Sequence, residues 1–128
     1  MNGYYTGITV VTAVDAEGRP HGLTCNSLVS ATLDPPTLLV CLDNRTGTLA
    51  AVRESGAFAV NLLAEGGQEA AEVFASPAPD RFAAVNWKRS ASGLPRLIDD
   101  AFAVAECAVT DMHTVGDHVV VFGRPSAR

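Results

Sequence analysis

Short blocks of hydrophobic residues, separated by turn-forming polar runs, occur along most of the chain and are typical of β-strands. The first block, residues 8–14, is rich in β-branched side chains and ends at Asp15-Ala16-Glu17-Gly18, which predicts a strand that leads into a tight turn. The chain should then return as a second strand that begins near Pro20 and continues to Val29. Together these residues predict a β-hairpin.

The predicted return strand carries small polar residues where a strand of the core would carry large apolar ones. Thr24, Asn26 and Ser27 offer hydroxyl and amide groups, and Cys25 lies among them. Such groups need hydrogen-bonding partners if they are buried, and a flat polar ligand could supply them. The same pattern is equally typical of the solvent face of an antiparallel sheet, so both interpretations stay open on the residues alone.

Further strands and two short helices are predicted beyond the hairpin. The strands are residues 37–42, 58–63, 101–110 and 119–122. One helix begins at Thr48 and stops at Gly56, and the other covers residues 68–74 and is ended by Pro77 and Pro79. Residues 75–96 are predicted to be a long loop. About six antiparallel strands with two short helices predict a small, mainly β barrel.

Length and charge narrow the class of protein. A chain of 128 residues, of which 48% are hydrophobic, can form one domain around one core, so we expect a single domain over residues 1–128. The net charge of −5 argues against a nucleic-acid partner, which needs a basic surface. No apolar run approaches the roughly 18 residues of a membrane-spanning helix, and the start lacks a secretory signal pattern. We therefore expect a cytoplasmic protein that binds neither nucleic acid nor membrane.

The three cysteines do not indicate a metal site or a disulfide. Cys25, Cys41 and Cys107 are widely spaced and form no C-x-x-C pair. We predict free thiols, with Cys41 and Cys107 as small core residues of apolar strands.

A possible anion-binding loop precedes the first predicted helix. Asn44, Arg45 and Thr46 stand directly before that helix, where free N–H groups and a guanidinium can bind a phosphate. The residues alone favour a simpler interpretation, in which Thr46 or Thr48 caps the helix and Arg45 is solvated.

Several motifs in order resemble the flavin reductase-like family. They are T-G-I-T-V-V-T at residues 6–12, H-G-L-T-C-N-S at 21–27, T-L-D-P-P-T-L-L-V at 32–40, F-A-V-N-L-L at 58–63, G-L-P at 93–95 and G-D-H at 116–118. This resemblance implies an FMN-binding split β-barrel, the fold of the reductase components of two-component flavin monooxygenases. It also reverses the preference at the anion loop in favour of phosphate binding.

The resemblance implies an NAD(P)H:flavin oxidoreductase in which hydride passes from NADH or NADPH to FMN or FAD. It implies no catalytic side chain, since the protein mainly positions the two cofactors. The residues it places at the flavin are Thr24, Cys25, Asn26, Ser27, Ser30, Asn44, Arg45, Thr46, Arg81 and Phe82. It places His118 at the nicotinamide, whereas the residues alone favour a histidine bonded to Asp117 or to a carbonyl.

Two other functions remain open, and the ends of the chain depart from the family. The alternatives are a flavin-binding module without turnover and a flavin-dependent oxidase of a small substrate.

Members of the family begin with a helix where this sequence has only residues 1–5, and they continue with further strands where it has residues 125–128. Missing strands would leave open sheet edges, so we expect a homodimer, together with a monooxygenase that receives reduced flavin.

Overall fold

A computed structural model describes residues 8–78 and 80–126 as a mainly antiparallel β structure with two α-helices. The predictions that concern residues 1–7, Pro79 and residues 127–128 lie outside the described residues. The strands are β1 Thr9–Val14, β2 Pro20–Cys25, β3 Val29–Leu33, β4 Pro36–Asp43, β5 Ala57–Leu63, β6 Trp87–Arg89, β7 Pro95–Leu97, β8 Ala101–Val115 and β9 His118–Pro125. The helices are α1 Gly47–Ser55 and α2 Gln68–Ala75, with a 3-10 helix at Arg81–Ala84.

Seven of these strands form one curled sheet in the order β2-β1-β5-β8-β9-β4-β3. Every neighbouring pair in it is antiparallel. The first and the sixth strands of this order, β2 and β4, contribute to one buried core, which includes Cys25 and Val40. The sheet is therefore rolled into a barrel, because a flat sheet could not bring two strands so far apart in its order to the same core.

Strand β1 is buried on both of its faces, which explains its nearly continuous apolar sequence. Val11 belongs to the core inside the barrel together with α1. Val10, its neighbour, belongs to a second core with Leu63, Phe74 and Leu97, which lies beneath α2 and the β6–β7 pair. Successive side chains of a strand point to opposite faces, so a strand between two cores needs apolar residues at both.

Local sequence signals explain the ends of α1. The Thr46 hydroxyl accepts a hydrogen bond from Leu49 N at 3.2 Å and so caps the first turn. Gly56 ends the helix in the left-handed conformation, at φ 74°, and its N–H donates to Val52 O. The predicted start and stop of this helix are both close to those observed.

The structure contains more strands than the pattern predicts. The predicted return strand ends at Cys25, and a separate strand β3 follows with all five residues exposed. Residues 75–96, predicted to be a loop, contain the 3-10 helix, β6 and the start of β7. Strands of three residues show no usable alternation, and the exposed β3 lacks the half-buried pattern on which the prediction relies. The last long strand, β8, also extends to Val115, beyond the predicted end at Thr110.

Candidate functional site

A cleft of about 410 Å³ lies where β2, β4, the start of α1, the end of α2 and β9 approach one another. Its volume falls within the range of small-molecule sites, roughly 300–1,000 Å³. Seven of the predicted site residues line it: Thr24, Cys25, Asn26, Ser27, Thr46, Arg81 and His118. Leu23, Cys41, Asp43, Phe74 and Ala75 line it as well. The fold thus brings together side chains that are far apart in sequence, from Leu23 to His118.

The small polar residues after β2 hold the rolled sheet together at this cleft. The Ser27 hydroxyl accepts a hydrogen bond from Cys41 N at 2.9 Å. Cys41 lies in the part of β4 that is no longer paired with β3, since that pairing ends at Leu39. Cys25 Sγ lies 3.0 Å from the same hydroxyl oxygen. The Thr24 hydroxyl donates to Ala71 O of α2. These side chains therefore have protein partners, so the run is not simply a solvated sheet face.

The backbone and Asn26 are what this run offers to a ligand. Asn26 is exposed at the cleft, and strand pairing of β2 ends at Cys25. Within residues 8–78 and 80–126, the backbone N–H groups of Asn26, Ser27 and Leu28 make no backbone hydrogen bond. Donors and acceptors of this kind fit the edge of a planar polar ring.

Arg81 lines the cleft where α2 ends, whereas its neighbour Phe82 lies behind the lining residues. The Arg81 Nη1 group donates to Phe74 O and to Ser76 O, both at 3.2 Å, where α2 ends. The Phe82 ring contacts the rings of Phe74 and Trp87 edge-on, at centroid distances of 4.9 and 5.1 Å. The geometry therefore gives Phe82 a packing role, because its ring is engaged with other aromatic rings and does not line the cleft.

Of the three residues of the predicted anion loop, only Thr46 lines the cleft. Thr46 lines the cleft and also caps α1, as the simpler interpretation proposes. Arg45 is turned to solvent, with 77% of its side chain exposed, and its guanidinium binds Asp43 at 2.6 and 3.0 Å. Asn44 is exposed and does not line the cleft. The arrangement favours Arg81 over Arg45 as the guanidinium that a bound phosphate would meet.

Asp43 is an acidic residue of the cleft that the sequence reading missed. Its hydrogen bonds from the Arg45 side chain and backbone hold the pKa of its carboxyl well below the usual range, and the charge of His118 lowers it further. The carboxylate is thus ionised at neutral pH and lies beside His118, its cross-strand neighbour. Its place at the end of an apolar run, directly before a polar loop, is the sequence signal that could have revealed it.

His118 lines the cleft and is also bonded to its neighbour. Its Nδ1 lies 2.9 Å from Asp117 Oδ1, as the residues alone suggest, and 47% of the side chain is exposed. The hydrogen bond from His118 lowers the pKa of the Asp117 carboxyl. The imidazole is therefore oriented by one nitrogen while the other stays available. His21 and His113 bind Asp15 and Asp111 instead, and neither lines the cleft.

Ser30 is the remaining predicted flavin residue, and it lies away from the cleft on the exposed strand β3.

Among residues 8–78 and 80–126, no group of three or more His, Cys, Asp or Glu side chains could hold a metal ion. All three cysteines are free thiols, as predicted; Cys25 and Cys107 are buried, whereas Cys41 is half-buried at the cleft. None of the helices in the described part of the chain is long and apolar enough to cross a membrane.

A family profile described as "Flavin reductase like domain" matches residues 1–127. The chain belongs to this family. A flavin reductase (NADPH) from Lentzea aerocolonigenes is 53% identical over 124 residues, which are 96% of this chain and 72% of that relative. The reductase subunit HsaB of a flavin-dependent monooxygenase from Rhodococcus jostii is 38% identical, over 99% of this chain and 64% of its own length.

A solved structure shares the fold at high similarity. It is the NADH:FAD oxidoreductase SgcE6 of Streptomyces globisporus, in complex with NAD and FAD fragments, with a TM-score of 0.86 and 33% identity over 95% of this chain and 73% of that one. The predicted family and the predicted split-barrel class are thereby confirmed. The chain spans between 40% and 72% of the length of the first four curated relatives that it matches.

Proposed function

We propose that this chain is an NAD(P)H-dependent flavin reductase that binds FMN or FAD in the cleft between β2 and Arg81. The observation that carries the proposal is the convergence, in one cleft, of a backbone free of strand pairing, a guanidinium and an imidazole. The named relatives support the same reaction class, since one is a flavin reductase (NADPH) and another an NADH:FAD oxidoreductase. Bound flavin would supply the acceptor for hydride from the reduced nicotinamide.

Each side chain has a distinct task in this proposal. The backbone of Asn26 and Ser27 and the Asn26 amide would bind the edge of the ring, where negative charge develops on reduction. Arg81 would bind the flavin phosphate, because it lines the cleft and its guanidinium is held at the end of α2 by Phe74 O and Ser76 O. His118 would orient the nicotinamide, with Asp117 fixing its ring. No proton donor is required from the protein, because the task is to position two rings.

Anaerobic mixing of the purified protein with flavin and NADH, and separately with NADPH, tests this reaction. Bleaching of the yellow flavin band at catalytic protein levels is the expected result. Tight flavin binding without bleaching by either nicotinamide would contradict the reductase and favour the binding module or the oxidase instead. Comparing FMN with FAD and NADH with NADPH in the same assay defines the preferred cofactors.

We also propose that the chain forms a homodimer and delivers reduced flavin to a monooxygenase. The strand β3 supports the dimer: it ends the sheet order, all five of its residues are exposed, and Leu33 is 85% exposed. An uncovered edge strand with apolar side chains is a surface that proteins usually pair or protect. Sedimentation of the protein and of Leu33→Lys tests this, because a dimer through β3 should weaken in the variant. The monooxygenase partner rests on the name of the Rhodococcus relative.

The cytoplasmic location stays a prediction. Its support is the three free cysteines, since disulfides are rare in reducing compartments and common outside them. Fractionation of cells that express the protein would test it, and recovery outside the cytoplasmic fraction would contradict it.

A further inference from the structure

Asn61 is a buried polar residue of β5 that does not line the cleft, yet three of the four hydrogen-bonding positions of its amide are taken by specific partners. It is 0% exposed. Its Nδ2 donates to Val10 O at 3.0 Å and to Thr12 Oγ1 at 3.2 Å, and its Oδ1 accepts from Leu97 N at 2.9 Å. A buried amide without partners costs free energy, so these bonds fix β7 on the outer face of β1 and β5.

Thr12 attaches the same strand at its other end. Its hydroxyl donates to Pro95 O at 2.7 Å, and Thr12 is also 0% exposed. β1 and β5 are interior strands of the seven-stranded sheet. Both ends of the three-residue strand β7 are therefore bonded to interior strands of the barrel.

The attachment continues from β7 to the cleft through direct contacts. Leu97 of β7 pairs with Trp87 of β6, and the Trp87 ring contacts Phe82, which follows Arg81 in the 3-10 helix. Ile98 N also donates to Asn86 O at 3.1 Å. Residues 80–97 thus form one layer that is bonded to the barrel at β7 and ends in a cleft residue.

We propose that Asn61 is a positioning residue: through β7 and the Trp87–Phe82 contact, it holds residues 80–97 against the barrel and thereby sets the position of Arg81 at the cleft. The ligand readout of this inference rests on the proposed function, in which Arg81 binds the flavin phosphate. A purely stabilising role of Asn61 predicts something different, namely a less stable barrel with an unchanged cleft.

The test compares wild type with Asn61→Leu, Thr12→Val, Arg81→Ala and the pair Asn61→Leu/Arg81→Ala. Val60→Ala is the matched control: Val60 adjoins Asn61 on β5, is 0% exposed, and belongs to the core inside the barrel. Asn61→Leu keeps a similar shape but removes both the Nδ2 donors and the Oδ1 that accepts from Leu97 N, and Thr12→Val is the milder variant should the first not fold. Hydrogen exchange of residues 80–97, together with quenching of the single tryptophan, Trp87, reports on the layer without any ligand.

We expect Asn61→Leu to accelerate exchange in residues 80–97 by about tenfold, with a smaller effect in Thr12→Val, because β7 then lacks its buried hydrogen bond to Asn61 or to Thr12. The preference for FMN over riboflavin should fall by about tenfold in Asn61→Leu and in Arg81→Ala, and the double variant should lose no more than Arg81→Ala alone. Val60→Ala should lower stability but leave both readouts as in wild type.

The two readouts separate the failure of the inference from that of the proposed function. If Asn61→Leu and Thr12→Val alter exchange in residues 80–97 no more than Val60→Ala does, the positioning role is overturned. If they loosen this layer but Arg81→Ala leaves the FMN preference unchanged, the attachment stands and the phosphate role of Arg81 is wrong. If the losses of FMN preference in the single variants add in the double variant, Asn61 does not act through Arg81.

Discussion

The approach of Gly22 to Phe74 gives a quantitative prediction about the wall of the cleft. A Cβ at Gly22 would lie 2.9 Å from Phe74 Cε1 and 3.3 Å from Phe82 Cζ. Phe74 is 1% exposed and belongs to the second core, so its ring cannot swing out into solvent. In Gly22→Ala the added methyl group therefore has to displace α2 or β2.

Two opposing terms set the size of the effect. Overpacking of a filled core costs about 1–3 kcal/mol, while replacing a strand glycine with alanine gains about 0.4–1 kcal/mol by restricting the unfolded chain. The net loss in the free energy of unfolding should be about 1–2 kcal/mol, or a Tm lower by about 3–8 °C. Flavin affinity should fall as well, because Phe74 and Ala75 line the cleft.

Denaturant unfolding and flavin titration measure both effects. Gly66→Ala is the control, since nothing lies within 4 Å of a Cβ there and no positive φ is required; it should be neutral or slightly stabilising. Phe74→Leu, which removes part of the ring, should partly rescue the stability of Gly22→Ala in the double variant. A Gly22→Ala protein as stable as wild type, or strict additivity with Phe74→Leu, would refute the reasoning.

Three further predictions concern charge and ionisation. His118→Ala should raise the KM for the nicotinamide by up to about tenfold and change the KM for flavin less. Steady-state kinetics with each substrate varied in turn measure both values, and an unchanged KM for the nicotinamide would show that His118 is not part of the site. Because Arg45 lowers the folded-state pKa of Asp43, the ion pair should stabilise the protein above the ordinary carboxyl pKa of about 3.9 and lose its effect as the pH falls towards the lowered value. The stability advantage of wild type over Asp43→Asn, measured by unfolding, should therefore shrink from about pH 6 to about pH 3, and an advantage that grows would contradict this. Burial raises the pKa of the Cys107 thiol to about 12. Alkylation of Cys107 at about pH 9, followed by mass spectrometry, should therefore be far slower in the native than in the unfolded protein. Equal rates would be inconsistent with that burial.

The strongly patterned parts of the fold could be predicted from the sequence. The apolar run of β1, the turn after it, and the cap and glycine stop of α1 act locally, so their signals are contained in a few adjacent residues. The run from Thr24 to Ser27 could likewise be recognised as unusual, because small polar residues interrupt a strand pattern. Its side-chain partners, Ala71 O and Cys41 N, could not be predicted, since they belong to segments far along the chain.

The site itself was predicted only in part, for the same reason. Seven of the predicted residues line the cleft, and their selection came from ordered motifs typical of the family. Local sequence does not distinguish Arg45 from Arg81, because both are arginines beside polar residues. Only the folded chain binds Arg45 to Asp43 at the surface and brings Arg81 to the cleft. Phe82 shows the same limit, since its ring contacts depend on where α2 and β6 lie.

The sequence by itself determined that this protein is a small, mainly β domain with a polar ligand surface after its first hairpin, and its motifs determined the family. The tertiary structure decided which side chains share the cleft, that Asp43 is among them, and that Asn61 attaches the layer bearing Arg81. The physical reason is that periodicity, capping and turns depend on neighbours in sequence, whereas a cleft depends on how a sheet curls and where strands far apart in it meet. The hydrogen bonds of Ser27 to β4 and of Asn61 to β7 join segments 14 and 36 residues apart.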